Sequence, residues 1–284
     1  MTRSFLFVPA DSERKIQRAA SSDADALILD LEDSVTPDRK VAARVLIREL
    51  LTNTHIDKQL WIRINALDSD FSLDDLTAIV ALRPFGIVLP KCADRADLLR
   101  VSHYLDAFEA VAGIPIGQTK ILAIITETAR SLLAIKDYAG VTARLWGLSW
   151  GAEDLSADIG SQINRMNGRY TEPFRLARSM CLIAAAAASV RAIDTVCVDL
   201  DDANILLSET QEAINDGFTG KMLIHPRHVE AVNTIVSPDT AQLQWAHAVI
   251  AAFEADPLAG TLNLNGKMID RPHLRLARRL LNKD

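Results

Sequence analysis

The chain has 284 residues, of which 49% are apolar and 24% charged. That length suits either one large α/β barrel or two ordinary domains, and the apolar share excludes a disordered, collagen-like or disulfide-stapled chain. The formal net charge of −6 gives no bias toward nucleic acid or an anionic membrane, so an anionic ligand has to be held by a few local basic groups.

Cys92, Cys181 and Cys197 show no C-x-x-C spacing and read as reduced core thiols, as expected of a cytoplasmic protein. The apolar run at 5–10 is too short for a signal peptide, and the longest, at 180–190, reaches about half the length of a membrane span. No membrane partner is expected.

From the N-terminus onward, short runs rich in β-branched residues alternate with segments of helical periodicity. The first two predicted strands cover 4–9 and 26–30, and Thr36 followed by Pro37 then starts a helix as N-cap and first-turn proline. A third strand covers 60–65, after which Ser72 with Asp75 suggests a shortened capping box for a helix through Leu82. The fourth strand is 86–90. Asp94 can cap a helix running to about Ala112, which Gly113 can end. Further strands are predicted at 120–126, 144–148, 192–198 and 220–223. This βαβα alternation predicts a (β/α)₈ barrel of TIM type over 1–237, with a doubly wound open sheet as the alternative. No G-x-G-x-x-G turn follows a strand, which removes support for a dinucleotide site.

Residues 238–284 read differently. A helix at 241–255 precedes an alternating strand at 261–264, the turn pair Asn265-Gly266, a second strand at 267–270 and a basic amphipathic helix at 272–281. A barrel is complete without this extension, which makes it a candidate lid or oligomer contact.

Barrel enzymes place their chemistry where strands end at the carboxyl face. The predicted strand ends carry Asp11, then Asp30, Glu32 and Asp33, then Arg63 and Asn65, Lys91, Glu127, the segment Ser149 to Asp154, Asp199 and His225. Crowded carboxylates raise one another's pKa and favour a cation among them. Oxygen donors without paired His or Cys indicate a hard ion, Mg²⁺ or Mn²⁺, for which Glu127 and Asp154 are best spaced. The competing readings are a helix first-turn charge for Glu127 and an N-cap for Asp154. Arg63 either faces an anionic oxygen in the barrel mouth or forms a buried pair with Asp30 or Glu32. Gly147 and Gly151 could leave amides free for an anion. Arg165, Arg169, Arg175 and Arg178 read as a solvated helix face, and His225 as a hydrogen-bonded structural residue.

Several of these stretches together resemble the citrate lyase beta-subunit family. They are residues 5–10, Leu29 to Val35, Trp61 to Asn65, Val88 to Lys91, Ile125 to Thr128, Gly151 to Leu155 and Ile224 to Pro226. The resemblance runs in order from Arg3 to about Arg278, and the family includes malyl-CoA and citramalyl-CoA lyases of modified TIM-barrel fold. It implies Glu127 and Asp154 as Mg²⁺ ligands, Arg63 as a contact to the substrate's carbonyl or carboxylate, and Glu32 and Asp33 as acidic neighbours of the metal. It further implies Arg14 as a contact for CoA phosphates. Asp270, in a segment similar to the C-terminal lid of CoA-dependent members, is implied as an acid/base completing a neighbouring subunit's site. A homo-oligomer, a trimer or a dimer of trimers, follows from that. The activity implied is reversible cleavage of a 3-hydroxyacyl-CoA to a 2-oxoacid and an acyl-CoA. Alternatives are thioester hydrolysis on the same site, aldol cleavage of free acids, or a thioester-binding subunit of a larger lyase complex. One departure is the lead into the lid, where Pro257 to Leu262 replaces a glycine- and aromatic-containing stretch.

Overall fold

The computed structural model describes residues 2–281. The chain divides into two compact units, Thr2–Val236 and a second beginning at Ser237.

In the first unit, β1 (Ser4–Pro9), α1 (Glu13–Ala20), β2 (Ala26–Asp30), α2 (Lys40–Asn53), β3 (Gln59–Arg63) and α3 (Ser72–Ile79) lead off. Then come β4 (Gly86–Leu89), α4 (Arg95–Val111), β5 (Lys120–Ile124), α5 (Ala129–Leu133), β6 (Leu145–Ser149) and α6 (Glu153–Asp158). A small antiparallel hairpin, β7 (Arg165–Met166) and β8 (Arg169–Tyr170), precedes α7 (Glu172–Ala187). The unit ends with β9 (Arg191–Asp194), α8 (Ala203–Asp216), β10 (Gly220–Leu223) and α9 (Val229–Val236). Eight parallel strands close into a barrel in the order β1, β10, β9, β6, β5, β4, β3, β2. The closing pair is β1 with β10, Phe5 opposite Met222, and it decides against an open sheet.

Alternation along each strand sorts the side chains. Phe5, Ile28, Trp61, Leu122 and Met222 fill the barrel, while Leu6, Leu27, Ile62, Ile121 and Leu223 pack outward against the helices. At the amino end, the rings of Trp61 and Trp146 lie 5.0 Å apart, and Gly86 makes room for Trp61. A Cβ on Gly86 would come within 2.4 Å of that ring. Aromatic side chains thus fill the amino end of the interior.

Three predicted strands run too long. β3 stops at Arg63, β5 at Ile124 and β9 at Asp194, although the apolar pattern continues beyond each. Ile64 and Ile125 still donate to the carbonyls of Val88 and Ser149, at 3.3 and 3.0 Å, and beyond them side chains take over as partners. Asn65, for example, donates its N–H to Asp75 Oδ2 at 2.8 Å. Asp75 is accordingly no capping-box residue. It is fully buried, and its carboxylate also receives Arg44 Nη1 at 2.9 Å. Thr36 makes no side-chain cap, and Pro37 opens a 3₁₀ turn ahead of α2. Asp94 caps α4 as expected, accepting from Ala96 and Asp97.

The second unit contains α10 (Thr240–Ala255), the antiparallel pair β11 (Thr261–Leu264) and β12 (Lys267–Asp270), and α11 (Arg271–Leu280). Asn265 and Gly266 both have positive φ, as a two-residue type I′ turn requires. Val249, Phe253, Ile269 and Leu274 form the unit's own small core. Asp270 caps α11, its carboxylate 2.6 Å from His273 Nδ1. Among the described residues no helix is long and apolar enough to cross a membrane. All three cysteines are free and buried.

Candidate active site

The carboxyl face of the barrel opens into a cavity of about 430 Å³ that Arg63, Glu127, Asp154, Asp30, Asp33 and Gly151 help to line. Phe7, Ile124, Val196 and Met222 supply its apolar wall. A wider hollow of about 600 Å³ beside Arg165 and Asp199 is lined by no buried residue. Chemistry needs convergent polar groups in a water-poor place, and the first cavity has them.

Arg63 and Asp30 meet because of register. They are paired across β3 and β2, each two residues beyond an inward core side chain, Trp61 and Ile28. Nε and Nη2 of Arg63 hold Asp30 Oδ1 and Oδ2 at 2.6 and 2.7 Å, and Nη1 lies 3.1 Å from Glu32 Oε2. The guanidinium also sits 4.7 Å over the Phe7 ring. Both readings of Arg63 therefore hold at once: it is a buried ion pair and it lines the mouth. Desolvation opposes the charge of Asp30, but Arg63 outweighs it and holds the Asp30 carboxyl below the usual range.

Glu127 is 2% exposed, so it is no surface charge of a helix first turn. Its Oε2 accepts the backbone N–H of Lys91. Burial first, then the neighbouring charges of Glu32 and Asp154, push its carboxyl up to about 8. Gly151 lets Glu127 reach this place, because a Cβ there would stand 2.8 Å from Glu127 Cγ. Asp154 lies in the first turn of α6, whose N-cap is Ala152, and its side chain remains about one-third exposed. Glu32 is buried, and its pKa is raised chiefly by desolvation. Its Oε2 finds no aligned hydrogen bond despite the nearby Arg63. Asp33 is more open, with 56% of its side chain exposed.

Two lysines that sequence reasoning left without a role hold this arrangement. Lys91 Nζ contacts Glu32 Oε1 at 2.5 Å, Asp154 Oδ1 at 3.4 Å and Asp33 Oδ2 at 3.5 Å. Buried Lys40 donates to the carbonyls of Leu31 and Glu32 and to Asn65 Oδ1, which pins the loop bearing Glu32. The available signal was weak: Lys91 follows a proline at a strand end, and Lys40 looks like any helical lysine.

Other expectations are corrected. Gly147 lies inside β6 and is packed against Arg191 and Leu122, and the Gly151 N–H is taken by Thr126 Oγ1, so neither offers an amide to an anion. The four arginines do not share a helix face. Arg165 and Arg169 belong to the hairpin, Arg165 pairs with Glu209, and Arg178 is buried against Asp194 and Asp216. Arg14 is exposed on α1 and is not part of the lining of the mouth cavity. A hollow of about 300 Å³ nearby is lined instead by Lys15, Arg18 and His225. His225 is structural, its Nδ1 accepting from the N–H of Arg227 at 3.2 Å. Asp199 caps its own loop by accepting from Asp201 and Asp202.

The donors fit a hard divalent cation. They are oxygens only, Glu127 is held above its ordinary pKa by burial and then by like charges, and Glu32 Oε2 is a buried acceptor with no aligned hydrogen bond. Among the described residues no group of three or more His, Cys, Asp or Glu side chains is arranged to hold a metal alone. Mg²⁺ typically takes one or two carboxylates and leaves its other positions to water and substrate.

A model of the HpcH/HpaI aldolase/citrate lyase family matches residues 3–226. The chain belongs to this family. It is 34% identical to the citrate lyase subunit beta of Leuconostoc mesenteroides over 99% of this chain and 92% of that one. It is 33% identical to a (3S)-malyl-CoA thioesterase of Cereibacter sphaeroides over 99% of this chain and 94% of that one. The protein CitE from Mycobacterium tuberculosis, solved in complex with magnesium, acetoacetate and coenzyme A, superimposes with a TM-score of 0.79. The two are 31% identical, covering 99% of this chain and 97% of that one. As a member of the HpcH/HpaI aldolase/citrate lyase family, the chain is an enzyme of lyase type.

Proposed function

We propose that the protein is a Mg²⁺-dependent carbon–carbon lyase that reversibly cleaves a 3-hydroxyacyl-CoA of malyl, citramalyl or citryl type into a 2-oxoacid and an acyl-CoA. The observation that carries this reading is the convergence of Glu127, Asp154 and the Arg63–Asp30 pair on one cavity at the barrel mouth. Magnesium and coenzyme A in the related CitE structure support it.

Glu127 and Asp154 are the residues that would hold the ion, with Mn²⁺ as a workable substitute. When bound, such an ion supplies Lewis-acid polarisation and lowers the pKa of a substrate hydroxyl. The chain's own residues do the rest. Cleavage removes the hydroxyl proton, breaks the C–C bond and leaves a thioester enolate, whose carbon must then take up a proton. Arg63 has five N–H donors and spends two on Asp30. Its fixed positive charge at the cavity wall stabilises the negative charge that develops. Phe7, Ile124, Val196 and Met222 keep water away from the enolate. Asp33 at the rim contributes to the binding of the substrate's polar groups. Lys15 and Arg18, rather than Arg14, are the basic side chains placed at a neighbouring hollow and suited to CoA phosphates. Asp270, carried by the extension of a second copy, serves as the acid/base toward the enolate carbon, which makes the working form a homo-oligomer, a trimer.

The test is a panel of 2-oxoacids incubated with acetyl-CoA or propionyl-CoA and Mg²⁺, with products followed by mass spectrometry. A condensed hydroxyacyl-CoA is the expected product. Its absence from every pair, together with no Mg²⁺ uptake by chelator-stripped protein in calorimetry, overturns the reading. The thioesterase relative from C. sphaeroides motivates a second outcome: free CoA released alongside a hydroxy diacid identifies hydrolysis on the same site.

A further inference from the structure

Lys91 follows Pro90 just beyond the end of β4, with φ at +49°, in the left-handed region that glycine and asparagine enter most readily. This twist turns its backbone N–H onto Glu127 while its side chain crosses the mouth. One residue thereby touches four of the five acidic side chains there, and it does so unequally. The ammonium is hydrogen-bonded to Glu32 at 2.5 Å, whereas Asp33 and Asp154 lie at ion-pair range, 3.5 and 3.4 Å. Glu32 is buried at 4% exposure, and its Oε1 accepts from the Lys91 ammonium. Counted formally, Asp30, Glu32, Asp33, Glu127 and Asp154 against Arg63 and Lys91 leave an excess of three negative charges.

We propose that Lys91 is a positioning residue that sets the ligand count of the metal site: its ammonium holds Glu32 through its one close hydrogen bond, which withholds that carboxylate and leaves Glu127 and Asp154 for the ion. This rests on the assignment of those two carboxylates as ligands given above. Four released carboxylates would form a crowded oxygen cage of the kind that Ca²⁺, with six to eight oxygen ligands, accepts. Mg²⁺ works with one or two carboxylates and needs its remaining positions open. A substrate that must bind through the ion depends on those open positions, so the ammonium protects function by restricting protein donors.

The experiment is calorimetric titration of chelator-stripped protein with Mg²⁺ and, separately, Ca²⁺. Lys91→Met removes the charge at similar length, and Lys91→Asn removes it with a residue that tolerates the left-handed backbone, so the second decides the question if the first fails to fold. Both are expected to bind Ca²⁺ about tenfold tighter than wild type with a smaller change for Mg²⁺, and Glu32→Gln added to either is expected to reverse the gain. Unchanged or weaker Ca²⁺ affinity in the folded variants overturns the inference, as does a gain that survives Glu32→Gln. Wild-type protein that takes up neither ion removes the metal assignment itself, and the inference with it.

Discussion

Replacing Arg63 with alanine should cost stability as well as turnover, and the two losses can be separated. Asp30 is 1% exposed, and its carboxylate is held by Arg63 at 2.6 and 2.7 Å and by the N–H groups of Glu32 and Ser34 at 2.9 and 3.1 Å. Deleting the guanidinium strands a buried charge, a change that typically costs about 3–5 kcal/mol. The two surviving backbone donors place the expected loss near the lower end, about 3 kcal/mol. Against a total stability of about 5–15 kcal/mol this is a large fraction. In the double variant Arg63→Met/Asp30→Asn both charges leave together, and at least half of that loss should return. Turnover should not return: kcat/KM is expected to stay roughly 10²–10³-fold down, the usual cost of removing one charge-stabilising donor. Urea denaturation at 25 °C measures the first quantity, and steady-state kinetics on the best oxoacid and acyl-CoA pair measure the second. An Arg63→Ala protein within about 1 kcal/mol of wild type would refute the buried-pair argument. A double variant that regains turnover along with stability would refute the catalytic one.

Gly151→Ala should displace Glu127, since the added Cβ would lie 2.8 Å from its Cγ; Mg²⁺ affinity by calorimetry is expected to fall about tenfold or more, an order typical of disturbed ligand support. At the other end of the barrel, Arg144 and the N–H groups of Gly117 and Thr119 hold the Glu109 carboxyl down at about 2, although burial alone would raise it. Its folded pKa lies below its unfolded value, so its contribution is complete above about pH 4.5 and is lost as pH falls toward 2. Urea midpoints of wild type and Glu109→Gln should therefore converge over that interval, and parallel curves would show that Glu109 does not contribute in this way. Asp270→Asn and Glu127→Gln are each expected to be inactive, yet activity should reappear when the two are unfolded together and refolded as mixed oligomers. Failure of the mixture to recover would remove Asp270 from a neighbour's site.

Much of the site could be read along the chain because barrel geometry converts sequence order into position. Each strand end contributes one or two residues to a single ring, so Asp30, Arg63, Glu127 and Asp154 could be nominated without knowing any distance. The same logic gave the wrong reading where a polar residue had a local alternative. Asp75 looked like a cap and is a buried acceptor for Asn65 and Arg44. The arginines from Arg165 to Arg178 looked like one solvated face, yet a two-stranded turn interrupts them and sends Arg165 and Arg178 into separate ion pairs. Asp194 drew no notice at all, although it is a fully buried carboxylate tied to Lys221 at 2.6 Å and to Trp150 Nε1 at 2.8 Å.

Periodicity, turn chemistry and length were enough to specify eight strands, the intervening helices and a separate C-terminal hairpin, because these follow from interactions a few residues apart. Whether the sheet closed was beyond them, since β1 and β10 are more than 200 residues apart and pair only once the barrel is complete. Lys91 is the sharpest instance of the same limit. Its charge is visible in the sequence, but its work depends on four carboxylates brought in by three other loops and on a backbone twist of its own. Electrostatic roles of this kind are set by distances of a few ångströms between groups remote in sequence, which only the folded chain establishes.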